Sequence, residues 1–201
     1  EDWMNPRAVD TISANHASLA DPLSSIQPSF ITNNTPVNLT RSSFDASALT
    51  AGTVYNVSCS GNQHIDIAGV TVSDVVITTN CRVKFGAGAA VENAIISTSS
   101  TSGNSMQASS GLRVGVDDGC TSGGGATLMT AGDISVASGL EAYGSQFVAG
   151  GDVHISAQAN GIEGASFQVG GEFKMTSNGV MGNCIGNVDP LIVENYYRIV
   201  Q

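Results

Sequence analysis

Three stretches decide how this chain folds: A-G-D-I-S-V from Ala131 to Val136, G-G-D-V-H-I from Gly150 to Ile155, and G-G-E-F-K-M from Gly170 to Met175. Laid over one another, they align Gly132, Gly151 and Gly171, then the acids Asp133, Asp152 and Glu172. Ile134, Val153 and Phe173 align next, followed by Val136, Ile155 and Met175, at a nearly constant step. The other half of each unit repeats too, Phe147 standing one period before Phe167. A fainter copy lies upstream, where H-I-D-I from His64 is followed one slightly shorter period later by R-V-K-F from Arg82. A period of 18–20 with strand composition predicts a parallel β-solenoid. One such coil cannot enclose its own apolar side chains. Coils stacked at the ~4.8 Å strand spacing place equivalent side chains above one another and build a continuous core. Alternation such as Ile134-Ser135-Val136 sends one set inward and the next to solvent. The glycine pairs are expected at corners that need positive φ. A β-sandwich of evenly spaced hairpins is the alternative, and the constant phase of three units favours the solenoid.

Working outward, residues 48–201 read as the solenoid domain, all-β, with a loop excursion at about 99–126 where S-S-T-S-G-N-S-M-Q-A-S-S-G breaks the repeat. Residues 1–47 read as an N-terminal arm or cap. Within them Ala8 to Ala20 suits a short helix, with Val9, Ile12, Leu19 and Ala20 on one side and Pro22 ending it. Its expected role is to cover the first coil, whose open strand edge is an aggregation hazard. The C-terminal L-I-V-E-N-Y-Y-R-I-V is a further strand candidate.

The chain carries 7 Lys+Arg against 17 Asp+Glu, a net charge of −10, and lysine occurs only at Lys84 and Lys174. A nucleic-acid partner is excluded, because phosphate binding needs clustered cations. The same scarcity of cations argues against a basic membrane-surface binder. No apolar run reaches the ~18 residues of a membrane span. Glu1-Asp2-Trp3, without an initiator Met, reads as a processed or trimmed end, so an upstream signal or membrane anchor is expected. Cys59, Cys81, Cys120 and Cys184 form no C-x-x-C motif. Four widely spaced cysteines favour two disulfides and an oxidising compartment, the periplasm or cell surface. Cys59 and Cys81 lie close to one coil apart, so they are expected on neighbouring rungs; Cys120–Cys184 would tie the excursion to the last coil.

No catalytic constellation emerges, and no cofactor is expected. His64 and His154 each precede an isoleucine in an alternating strand and read as outward-facing. G-x-S-x-G, H-x-x-x-H and P-loop patterns are lacking. Asp117 and Asp118, in G-V-D-D-G-C, are the one metal candidate, but Ca²⁺ wants six to eight oxygens and turn chemistry is the preferred reading. Asp133, Asp152 and Glu172 read as an exposed acidic row and a candidate interaction surface, together with the stretch 99–126.

T-V-Y-N-V-S-C from Thr53, V-V-I-T-T-N-C-R-V-K-F from Val75, G-V-D-D-G-C from Gly115, N-G-I-E-G-A-S-F from Asn160 and M-G-N-C from Met181 together resemble the C-terminal region of TadG-like proteins of the Tad (tight adherence, Flp) pilus system. The resemblance covers roughly residues 50–201 and includes all four cysteines. It implies an anchored, extracytoplasmic role in pilus assembly or surface attachment, with pilus or envelope assembly proteins as partners and no active site to carry over. The A-G-G-D-V units are also similar to repeats of filamentous-haemagglutinin-type adhesins, which implies the alternative of a surface adhesin or glycan-binding module.

Overall fold

The structure, a computed structural model, describes residues 12, 15–17, 19, 20, 28–119, 121, 123–156, 159–176, 181 and 182. β1 (Asn33–Thr40) opens the stack. The coils follow as triplets: β2 (Thr53–Ser58), β3 (His64–Ile67), β4 (Thr71–Ser73); β5 (Val75–Thr79), β6 (Arg82–Phe85), β7 (Ala89–Glu92); β8 (Ile95–Thr98), β9 (Met106–Ala108), β10 (Leu112–Val114). Then come β11 (Thr127–Thr130), β12 (Ile134–Val136), β13 (Leu140–Tyr143); β14 (Gln146–Ala149), β15 (Val153–Ile155), β16 (Ala159–Glu163); β17 (Ser166–Val169), β18 (Phe173–Met175) and β19 (Met181–Gly182). The first strands of the triplets, with β1, make one seven-stranded sheet; the second and third strands make two six-stranded sheets. Neighbouring strands in each sheet run parallel, one coil to the next. The fold is the all-β parallel solenoid that the repeat predicts, about seven turns long.

The register shows where the period holds. Val76 pairs with Ile95, Thr127 with Gln146 and Gln146 with Ser166, each one period apart. Between them Ile95 pairs with Thr127, a much longer step. Residues 99–126 nevertheless do not leave the stack as a single excursion. β9 joins β6 to β12, and β10 joins β7 to β13, both in continuous register. The extra length is divided between a corner at 99–105 and a longer one at 115–126. The stack also starts earlier than residue 48, because β1 already pairs with β2.

Inward ladders fill the interior. Tyr55, Ile77, Ile96, Leu128 and Phe147 stack in the first sheet, Ile65, Val83, Met106, Ile134 and Val153 in the second, and Val72, Val91, Val114, Ala142 and Ile162 in the third, all buried. Phe173 continues the second ladder in register, and Met175 continues the neighbouring column of Val136 and Ile155. β18 is the terminal strand of its sheet, so Phe173 stays 40% exposed. The Phe147 and Phe167 rings stack at 4.7 Å, and Phe173 tilts onto Phe167 at 5.1 Å.

A second inward ladder of the first sheet holds hydroxyls: Thr79, Thr98 and Thr130 are buried. Each works at the corner that follows. Thr79 Oγ1 accepts from the Cys81 amide at 2.9 Å and donates to the Val57 carbonyl at 2.7 Å. Thr98 Oγ1 accepts from the Ser100 amide at 3.0 Å and donates to the Cys81 carbonyl at 2.6 Å. Thr130 Oγ1 accepts from the Gly132 amide at 3.1 Å and donates to the Ser100 carbonyl at 3.4 Å. Corner amides that the sheet cannot reach are thereby paired, as buried main-chain groups require.

Left-handed residues sit at the other two corners. Between the second and third sheets they are Gly69, Gly88, Gly111 and Gly139. Asp74, Asn93, Gly115, Gly144 and Gly164 follow the third-sheet strands. Asp and Asn tolerate this conformation because a short polar side chain bonds locally.

The N-terminal segment divides into two parts. Helical residues Ile12, 15–17, Leu19 and Ala20 lie along the side of the stack rather than over its end. Ile12 and Leu19, 2% and 1% exposed, pack with Val54, Val76 and Met129 on the outer face of the first sheet. At the start of the stack it is Phe44, Ala46 and Leu49, around two short 3₁₀ turns (Arg41–Ser43 and Ala46–Ala48), that pack against the main core. His16 seals the helix to the sheet, its Nδ1 lying 2.8 Å from Ser97 Oγ. Burial lowers the His16 pKa below its ordinary 6.5. A depressed histidine favours the fold when neutral, so its contribution is complete above the unfolded value and is lost as pH falls below about 6.5. The urea midpoint of the native chain is expected to fall further between pH 7.5 and 5 than that of His16→Gln; identical pH profiles for the two would contradict the docking.

Candidate functional site

The repeat acids are tied into the stack. Asp133 Oδ1 accepts from the Asp152 amide one coil on at 2.9 Å, and Asp152 Oδ1 accepts from the Glu172 amide at 2.7 Å. Two members of the row expected as an interaction surface, Asp133 and Asp152, thus also serve as coil-to-coil acceptors. Glu172 ends the row, its carboxylate without such an acceptor role among the described residues. The glycine pairs serve this row by their size, since none of Gly132, Gly150, Gly151, Gly170 and Gly171 has positive φ. A Cβ on Gly150 would sit 2.6 Å from the Ala131 carbonyl oxygen of the coil before. One on Gly151 would collide with the Asp133 carboxylate, and one on Gly171 with that of Asp152. The G-G-[DE] unit therefore reads as space for a carbonyl, space for a carboxylate, then the next carboxylate.

Cys59 and Cys81 form a disulfide with a Cα separation of 5.2 Å, joining two adjacent coils where the spacing predicts. Beside it, Asn80 lies across the corner like a short strand: its Oδ1 accepts from the Cys59 amide at 2.8 Å and its Nδ2 donates to the Cys59 carbonyl at 3.1 Å. The expected Cys120–Cys184 bond lies outside the described residues. Asp118 closes a turn, its Oδ1 accepting from the Thr121 amide at 3.0 Å. Asp117 is one of the acids, with Glu141 and Glu163, that add to burial in raising the Tyr143 pKa. Among the described residues no group of three or more metal-ligating side chains forms around this pair.

His64 and His154 face outward, as expected, and both are half-buried. His64 Nε2 is 3.4 Å from Asp66 Oδ2, and His154 Nε2 is 3.3 Å from Ser156 Oγ. The outer faces of the second and third sheets differ in charge. Arg113 pairs with Glu92 at 2.6 Å on the third sheet, where Glu141 stands in register with Arg113. The second sheet carries His64, Arg82 and Lys84 around a cleft of about 140 Å³. A wider depression of about 350 Å³ beside β4 is lined by short apolar and hydroxyl side chains, Leu49, Val70 and Ser73 among them. The cationic cleft is the feature that reading along the sequence misses, because its residues are scattered. The available signal was the alignment of R-V-K-F on H-I-D-I, which stacks Arg82 on His64.

The geometry defines a disulfide-pinned parallel β-solenoid with charged outer faces. The chain belongs to the family described as domain of unknown function DUF7867, which it matches over residues 4–185. No curated protein matches it. No solved structure matches it either.

Replacing Asp152 by Ala removes the acceptor for the Glu172 amide and should cost about 1 kcal/mol, the net worth of such a bond. Gly151→Ala should cost more, because it displaces the Asp133 carboxylate as well as crowding the corner. Urea titration of both variants checks the order, and a neutral Gly151→Ala would contradict this reading of the repeat.

Proposed function

We propose that the chain is a non-catalytic, extracytoplasmic structural or assembly component of a bacterial surface appendage, the Tad/Flp-type adhesion pilus. The observation that carries the compartment is the Cys59–Cys81 bond between adjacent coils, since disulfides persist in oxidising surroundings. The scaffold suits a structural role: Thr79, Thr98, Thr130 and two of its three repeat acids are engaged in coil-to-coil bonds. The pilus system comes from the resemblance to TadG-like proteins, and with it pilus or envelope assembly proteins as partners and an anchor upstream. The alternative, a surface adhesin or glycan-binding module, shares the location and the scaffold and differs in what touches the outer faces.

Clean deletion of the gene is expected to abolish piliation or surface attachment with growth unchanged. Normal pili and attachment would eliminate the pilus assignment, leaving a glycan array and a hydrolase screen to separate adhesin from enzyme. Four alkylatable thiols in the native chain would remove the extracytoplasmic assignment.

A further inference from the structure

Of seven Lys and Arg in a chain of charge −10, Arg41, Arg82 and Lys84 gather with His64 at one end of the second sheet. His64 stands in register with Arg82, Asp66 with Lys84, and Lys84 with Gln107 on the next strand. These side chains alternate with buried Ile65, Ile67, Val83 and Phe85 and so share the outer face. Arg41 Nε donates to the His64 carbonyl at 3.0 Å, bringing a third cation alongside. Among the described residues, ion pairs form at His64–Asp66 and Arg113–Glu92, and none involves Arg82 or Lys84.

The repeat is broken around these two residues. Corners from the first to the second sheet take two residues at 80–81 and three at 131–133, 150–152 and 170–172. They take five at 59–63 and seven at 99–105. The two long corners flank the short one that leads into Arg82, and they meet where Ser102 Oγ donates to Asn62 Oδ1 at 2.9 Å. Arg82 Nη2 donates to the Asn62 carbonyl at 3.3 Å, which fixes the guanidinium. Asn104, held left-handed at φ 58°, completes the wall. Arg82 Nε is enclosed with no hydrogen-bond partner. Arg82 and Lys84 both line the cleft, two cations on one outer face with no ion pair among the described residues, and an anion between them would relieve their mutual repulsion.

The size of the cleft narrows the ligand. About 140 Å³ is well below the ~300 Å³ at which sites for whole organic ligands begin. It suits one charged substituent. We propose that this cleft is an oxyanion subsite in which Arg82 and Lys84 hold a single sulfate or carboxylate group, with Asn104, Gln107 and His64 at its rim. The guanidinium fork matches the geometry of such a group, and the ammonium adds a point charge. The site stands independently of the pilus assignment.

The test uses the full chain, ¹⁵N-labelled, titrated separately with sodium sulfate and sodium acetate at constant ionic strength set by sodium chloride. A sulfated disaccharide and its unsulfated parent form two further arms. Saturable shifts are expected at the amides of Val83, Lys84 and Asn104, at least tenfold tighter for sulfate or acetate than for chloride. Lys84→Gln should weaken the response about tenfold and Lys84→Arg should retain it, with unchanged thermal melting showing that both variants fold. A sulfated disaccharide that binds tighter than free sulfate supports the site and assigns the group to a saccharide; equal binding supports it and assigns the free ion. Shifts linear in salt and alike for chloride, or a response unchanged in Lys84→Gln, would overturn the proposal.

Discussion

The constraint on which this molecule depends is that strand amides find their partners one coil away, at the same phase. A parallel solenoid has no hairpins, so successive coils must return the chain to within ~4.8 Å of the coil before. Three corners per coil make that possible, and each meets the demand differently. Two use a left-handed residue. The third, left-handed among the described residues only in its long versions at Gly61 and Asn104, uses side chains: buried threonine hydroxyls bond the corner main chain from inside, and aspartate carboxylates bond the next coil's amide from outside. The glycine pairs, small rather than left-handed, leave the room that the carbonyl and carboxylate occupy.

This division explains what the sequence disclosed. The G-[DE] phase is visible because one amino acid per coil must be small and the next must carry an acceptor, so selection for packing writes a period into the chain. Cys59–Cys81 was legible because its spacing matches a coil. The strands β9 and β10 were not, because M-Q-A and L-R-V are short apolar–polar–apolar units set in Ser- and Gly-rich sequence. The steps that tie them into the stack, Val83 to Met106 and Leu112 to Leu140, are also longer than the period of the later coils. The lateral docking of the helix had a signal that alternation alone conceals. Val75-Val76-Ile77, Ile95-Ile96 and Leu128-Met129 are continuous apolar runs, and a strand apolar on both faces is covered on both faces. Val76 and Met129 supply the outer half of that pattern, under Ile12 and Leu19.

The same physics orders the molecule's surfaces. One outer face is partly covered by N-terminal helical residues, Ile12 and Leu19. The third-sheet face carries Glu92, Glu141 and Glu163 with one arginine among them. The second-sheet face carries cations at its beginning and, along its corner, Asp133 and Asp152, engaged with the coil that follows. The long corners 59–63 and 99–105 depart from the repeat beside those cations, and recognition commonly rests on such loops held by a rigid scaffold. In a scaffold this regular, departures from the period mark the places where something other than stacking set the sequence.

The continuous register of the second sheet is the central claim, and one distance tests it. Asp66, Lys84, Gln107, Ser135, His154 and Lys174 form one outward column, five strand steps from end to end. Spin labels placed at positions 66 and 174 should give a single narrow distribution by double electron–electron resonance, centred about 24 Å apart at the backbone, which is five steps of ~4.8 Å. A broad distribution, or one displaced by more than two strand spacings, would contradict the stack.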